Sequence, residues 1–147
     1  MKNLLIIEDD KIKIEKLEAA LEGYNLDISE SFHSGITALR NNTYDLVILD
    51  MTIPLWDRLS NDISQNYEQF GGEKILREMK RRFIEVPVIL FTMFDKFPVG
   101  CEIVTFNELV AKYTSEFPFF KGAVFYDSIR DSWKDELKTI IMKNFES

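Results

Sequence analysis

Three short apolar runs each end on an oxygen-bearing side chain. "LLIIEDD" (4–10) closes on Glu8, Asp9 and Asp10, "LVILD" (46–50) on Asp50, and "VILFT" (88–92) on Thr92. Carboxylates gathered in one place repel and raise one another's pKa unless a cation lies among them. An all-oxygen set on an open rim suits Mg²⁺, which keeps several waters and favours carboxylate together with phosphate oxygens. A magnesium ion beside a strand-end aspartate points to phosphoryl transfer onto that aspartate, with the carboxylate attacking in line. Thr92 would offer a hydroxyl to a phosphoryl oxygen. The bland alternative is that these acids only cap loops, because Asp is a common turn residue. Convergence of the run ends decides between the two.

The elements that would bring them together can be read along the chain. "NLLIIE" (3–8) reads as a strand. The following "DKIKIEKLEAALEG" reads as a helix with Asp10 as N-cap, Ile14, Leu17 and Leu21 on one face, and Gly23 at its stop. "YNLDIS" (24–29) alternates as an edge strand does. "SGITALRNN" is a short helix, and "YDLVILD" is a strand closed by Pro54, which cannot continue a ladder. Ile75, Leu76, Met79 and Phe83 predict a helix over 72–83, and "VPVILFT" (86–92) the next strand. Thr105 and Glu108 form a capping box before a stripe of Phe106, Leu109, Val110 and Tyr113. "GAVFY" (122–126) is a fifth strand, and Ile129, Trp133, Leu137, Ile140 and Ile141 predict a last amphipathic helix.

This alternation implies an α/β fold, a doubly wound five-stranded parallel sheet of flavodoxin-like order 2-1-3-4-5 flanked by five helices. Ligands of such sheets bind outside the C-terminal strand ends, where the strand order reverses. The first and third strands meet there, so Glu8, Asp9 and Asp50 are expected to converge.

Bulk properties limit the partners. The 147 residues are 46% hydrophobic, enough for a single domain with one good core. A net charge of −7 argues against a general nucleic-acid or anionic-membrane surface. The apolar start of "MKNLLIIEDD" is too short for a signal sequence or a membrane span, and a lone cysteine, Cys101, builds no disulfide framework. A cytoplasmic protein is expected. His33, the single histidine, lies near the second helix away from the acids and reads as structural.

"LLIIEDD", "SFHSGITALRNNTYDLVILDMTIP", "GGEKILREMKRR" and "VPVILFT" together resemble the response-regulator receiver domain of two-component signalling. The resemblance runs from residue 2 to 92. It implies that Asp50 is the phosphoacceptor, that Glu8 and Asp9 are the metal-binding acids, and that the Thr52 backbone carbonyl completes the Mg²⁺ site. It makes Thr92 the switch hydroxyl that binds the phosphoryl group. A histidine kinase or phosphotransfer protein would be the donor, and an unidentified protein the downstream partner, with room for a homodimer. Signalling would pass through protein contacts, without enzymatic turnover of a substrate.

Two departures stand against the pattern. Pro54 and Gly72 are separated by an insertion over about 55–71, in which Leu59, Ile63, Tyr67 and Phe70 have helical spacing. Receivers also carry a lysine after the fifth strand. If "GAVFY" is that strand, Asp127 or Ser128 stands in its place; an alternative alignment with "FPFF" as the strand makes it Lys121. Met93 replaces the small residue usual after the switch threonine. With a further extended region over 93–121, the chain leaves no sequence for an output domain and reads as a stand-alone receiver. The competing functions are a degenerate receiver working as a phosphate-independent interaction module, and, ranked lower, a magnesium-dependent phosphohydrolase or Toprim-like nuclease. Those last enzymes want a second Asp two positions after the first, where Thr52 stands.

Overall fold

The unbroken apolar runs form one parallel sheet, because a strand buried on both faces must be apolar at every position. The computed structural model of the chain describes residues 1–57, 67–68, 71–99 and 101–146. In chain order the elements are β1 (Asn3–Ile7), α1 (Lys11–Ala20), β2 (Asn25–Ser29), α2 (Phe32–Asn41), β3 (Leu46–Leu49), β4 (Ile53–Pro54) and β5 (Tyr67–Glu68). They continue with α3 (Gly71–Arg81), β6 (Val88–Thr92), β7 (Lys96–Val99), β8 (Glu102–Thr105), α4 (Phe106–Glu116), β9 (Phe120–Phe125) and α5 (Ser132–Glu146). The main sheet has the order β2-β1-β3-β6-β9, which is the expected 2-1-3-4-5 arrangement.

Side chains alternate across the sheet and sort the core into two layers. Leu5, Ile7, Val47, Leu49, Val88 and Leu90 pack with residues of α2, α3 and α4. Leu4, Ile6, Leu46, Ile48, Ile89, Phe91 and Val124 pack with α1 and α5. The alternation carries past the strand ends, since Glu8 N–H donates to Ser29 O and Asp50 N–H to Ile7 O. Glu8 shares the parity of Leu4 and Ile6, and Asp50 that of Leu46 and Ile48. Both carboxylates therefore belong to the layer under α1.

The helix starts follow their predicted caps. The Asp10 carboxylate accepts from Ile12 N–H and Lys13 N–H at the start of α1, and Thr105 and Glu108 cap one another's backbone at the start of α4. Gly23 takes φ +101° in the turn after α1, a conformation that L side chains rarely adopt.

Several expectations need correction. Phe83 lies beyond the end of α3 with φ 57° and is 87% exposed, and Ile129 precedes α5 and is 91% exposed. Their spacing matched a helical stripe that the backbone had already left. The fifth strand starts at Phe120, two residues before "GAVFY", where a register irregularity opposite Val88 and Ile89 lets it join β6. Two antiparallel pairs, β4 with β5 and β7 with β8, were not predicted. β7 and β8 lie in the first half of the 93–121 extension and lead the chain into α4. Within the insertion, Tyr67 pairs with Pro54, while Leu59, Ile63 and Phe70 lie outside the described residues.

Candidate phosphoryl and metal site

The C-terminal ends of β1, β3 and β6 open onto a cavity of about 410 Å³, lined by Glu8, Asp9, Asp50, Thr52, Met93 and Phe94 among others. One carboxylate oxygen from each of Glu8, Asp9 and Asp50 lies within 4.8 Å of the others. Glu8 and Asp50 are buried, whereas Asp9 is half-buried toward the opening. Glu8 Oε2 accepts from the Asp9 and Asp10 backbone N–H groups at 3.2 and 3.3 Å. Asp50 Oδ1 accepts from Met51 N–H at 2.8 Å. These bonds fix both carboxylates against the loops they terminate.

Gly72 holds the loop after Asp50 from behind. Its N–H donates to Met51 O at 2.8 Å, and a Cβ there would stand 2.5 Å from Asp50 O and 2.9 Å from Met51 Cα. Only a residue without a side chain lets α3 approach the acidic loop so closely. Thr92 is fully buried at the end of β6, and its Oγ1 accepts from Phe94 N–H at 3.2 Å.

The sequence reading missed Lys13. This lysine of α1 is 2% exposed, and its Nζ stands 2.6 Å from Glu8 Oε1 and 3.4 Å from Asp50 Oδ1. The Glu8 contact is close, yet Oε1 has no donor of good hydrogen-bond angle, which makes it a charge contact. Beneath the ammonium lie the rings of Phe91 and Tyr126, with centroids 5.3 and 5.9 Å away. These two rings and Trp133 pack mutually, with centroids 5.3 to 5.4 Å apart. One signal for Lys13 was available: it stands one turn before Leu17 on the apolar stripe of α1.

Lys121 is not brought to this site. It lies next to Phe120, which pairs with Val88 at the opposite end of β6 from Thr92, and its Nζ donates to Pro118 O at 3.3 Å. Asp127 and Ser128 follow β9 at the correct end, as the first alignment expected. His33 is exposed, its ring 4.1 Å from that of Trp56.

Burial sets the electrostatics. It pushes the Glu8 carboxyl up to about 9, the Asp50 charge adding and the Lys13 ammonium opposing. Asp50 is also raised, by burial first, with Lys13 pulling the other way. Burial works against the Lys13 ammonium, but Asp50 and Glu8 outweigh it and hold its pKa above the ordinary value.

The donor set fits Mg²⁺. Glu8, Asp9 and Asp50 would supply carboxylate oxygens that lie within 4.8 Å of one another, the hard-oxygen ligands that Mg²⁺ takes.

No protein-family model matches the chain. It is 29% identical over 140 residues to an uncharacterized protein, y4jR, of Sinorhizobium fredii, covering 91% of this chain and 93% of that one. It is also 29% identical to the uncharacterized transcriptional regulatory protein YkoG of Bacillus subtilis over 98 residues, 65% of this chain but 37% of the relative. The chain thus spans about a third of that regulator's length. Among solved structures, a CheY-like response regulator receiver domain of Methanospirillum hungatei superposes with TM-score 0.66 at 17% identity, covering 99% of this chain and 95% of that one. The Mn²⁺-bound form of response regulator Rcp1 gives TM-score 0.65 at 16% identity, covering 95% and 91%. The Mg²⁺–BeF complex of the response regulator TrrA of Thermotoga maritima gives 0.59 at 21%, covering 95% and 99%. The chain has the fold of the CheY-like response-regulator receiver domains, and transcriptional regulatory proteins and a response regulator, ArlR of Staphylococcus haemolyticus, are among its sequence relatives.

Proposed function

We propose that this chain is a receiver that accepts a phosphoryl group on Asp50 and signals through protein contacts. Asp50 supports the reading most directly: a buried carboxylate at the end of a central strand, with Glu8 and Asp9 oxygens within 4.8 Å. Glu8, Asp9, Asp50 and the Thr52 backbone carbonyl would hold Mg²⁺, whose charge offsets that of the incoming phosphoryl oxygens. Asp50 attacks phosphorus, its new O–P bond forming as the donor's P–N or P–O bond breaks. The bonding pair leaves with the donor's imidazole, which takes a proton from water, or with its carboxylate. The Thr92 hydroxyl, whose Oγ1 accepts from Phe94 N–H, would donate a hydrogen bond to a phosphoryl oxygen. The natural donor is a histidine kinase or phosphotransfer protein; a relative named histidine kinase 5, of Arabidopsis thaliana, is 32% identical over 72 residues. A cytoplasmic setting suits such a donor, and among the described residues no helix is long and apolar enough to cross a membrane.

Incubation with acetyl phosphate and Mg²⁺, followed by intact mass, tests this reading. One phosphoryl group should add to the wild type and none to Asp50→Asn. Equal labelling of the variant would refute the assignment. A second reading, the phosphate-independent interaction module, is favoured by the Lys13 ammonium, which stands 2.6 Å from Glu8 Oε1 and 3.4 Å from Asp50 Oδ1 and already offsets part of the acidic charge. It predicts no labelling of the wild type by small donors and no Mg²⁺ effect beyond that of salt.

A further inference from the structure

We propose that Lys13, reaching in from α1, is the ammonium that binds the phosphoryl group on Asp50. The assignment rests on Asp50 being the phosphoacceptor. Nζ stands 3.4 Å from Asp50 Oδ1, and the phosphoryl oxygens on Asp50 would lie two bonds beyond the carboxylate oxygen, past phosphorus and within reach of that ammonium. Among the described residues the other lysine on the cavity wall is Lys11, which is turned outward to Glu30, with Nζ 3.3 Å from Oε1 and the side chain 80% exposed.

Aromatic side chains support the Lys13 ammonium on the side away from the carboxylates. Tyr126 follows β9 and bonds through its N–H to Thr92 O, so it occupies the strand end nearest the site. Its ring, with that of Phe91, forms the floor under the Lys13 ammonium. The alkyl stem of Lys13 can lie along this apolar layer while its head faces the carboxylates. During transfer Lys13 neither gives nor takes a proton. Its contact with Asp50 Oδ1 is shared with, or passed to, a phosphoryl oxygen.

The test uses the full chain with Mg²⁺ and beryllofluoride as the phosphoryl mimic, followed by ¹⁹F NMR. Lys13→Met keeps the stem and removes the charge. It should retain the Mg²⁺-induced rise in melting temperature but bind beryllofluoride roughly ten- to a hundred-fold more weakly. Lys13→Arg should keep much of the binding. ¹⁵N-lysine spectra of the wild type, with Lys13 assigned by its loss in Lys13→Arg, supply a readout independent of the Met variant's folding. The Lys13 ammonium signal should shift with beryllofluoride beyond its shift with Mg²⁺ alone. Wild-type affinity in folded Lys13→Met, or an unmoved ammonium signal in saturated wild type, would overturn the assignment to Lys13 alone. If the wild type neither labels nor binds the mimic, the phosphoacceptor reading falls first, and this one with it.

Discussion

Burying Glu8 beside Asp50, with one ammonium between them, sets a pH dependence that belongs to these residues. The Glu8 carboxyl is pushed up to about 9 in the fold from an ordinary value of 4.5. Between those limits the folded state binds more protons than the unfolded one, so stability must fall as pH rises. The contribution is fully present below about pH 4.5 and is lost through pH 9; the raised Asp50 acts in the same direction. The metal-free melting temperature should therefore decline from pH 5 to 9. Glu8→Gln should flatten that decline while leaving the Lys13–Asp50 contact, and an equally steep slope in the variant would place the dependence elsewhere. The acids were legible because strand ends can be read from apolar runs. Lys13 was not, because a lysine in a helix reads as surface. Its neighbour Ile12 is the one that is 63% exposed. Burial of an ammonium is tolerable only beside charges that tertiary structure supplies.

At the scale of elements, the site depends on how closely α3 approaches the loop after β3. Gly72→Ala would place a methyl carbon 2.5 Å from Asp50 O, against backbone that cannot rotate away. The expected cost is about 1–3 kcal/mol, the usual range for overpacking. Urea unfolding measures it, and phosphoryl labelling should slow because Asp50 lies on the displaced loop. A variant as stable as the wild type would show that the loop yields freely. The five strands of the sheet and the caps of α1 and α4 could be read in advance because their signals are local. The pairs β4–β5 and β7–β8 could not. Each is short, and pairing of β4 with β5 brings Ile53 to Glu68 across the insertion. Phe83 and Ile129 failed for the opposite reason: periodicity counts spacing and does not see where a helix stops.

For the whole molecule, the acidic cavity makes Mg²⁺ a ligand of the folded state alone. Glu8, Asp9 and Asp50 come from loops after two different strands, and only folding brings their oxygens within 4.8 Å. At about ten times its dissociation constant, the ion should then add about 1.4 kcal/mol of stability by linkage. For a chain of this size that corresponds to roughly 3–6 °C in melting temperature. Asp50→Asn should raise the metal-free melting point, because it removes a buried carboxylate charge that stands against Glu8, and should weaken the response to Mg²⁺. Sodium chloride at matched ionic strength is the control, since general screening requires no site. Equal shifts with Mg²⁺ and with salt would mean that the acids form no specific metal site. The interaction-module reading would then fit the molecule better than the phosphoacceptor one.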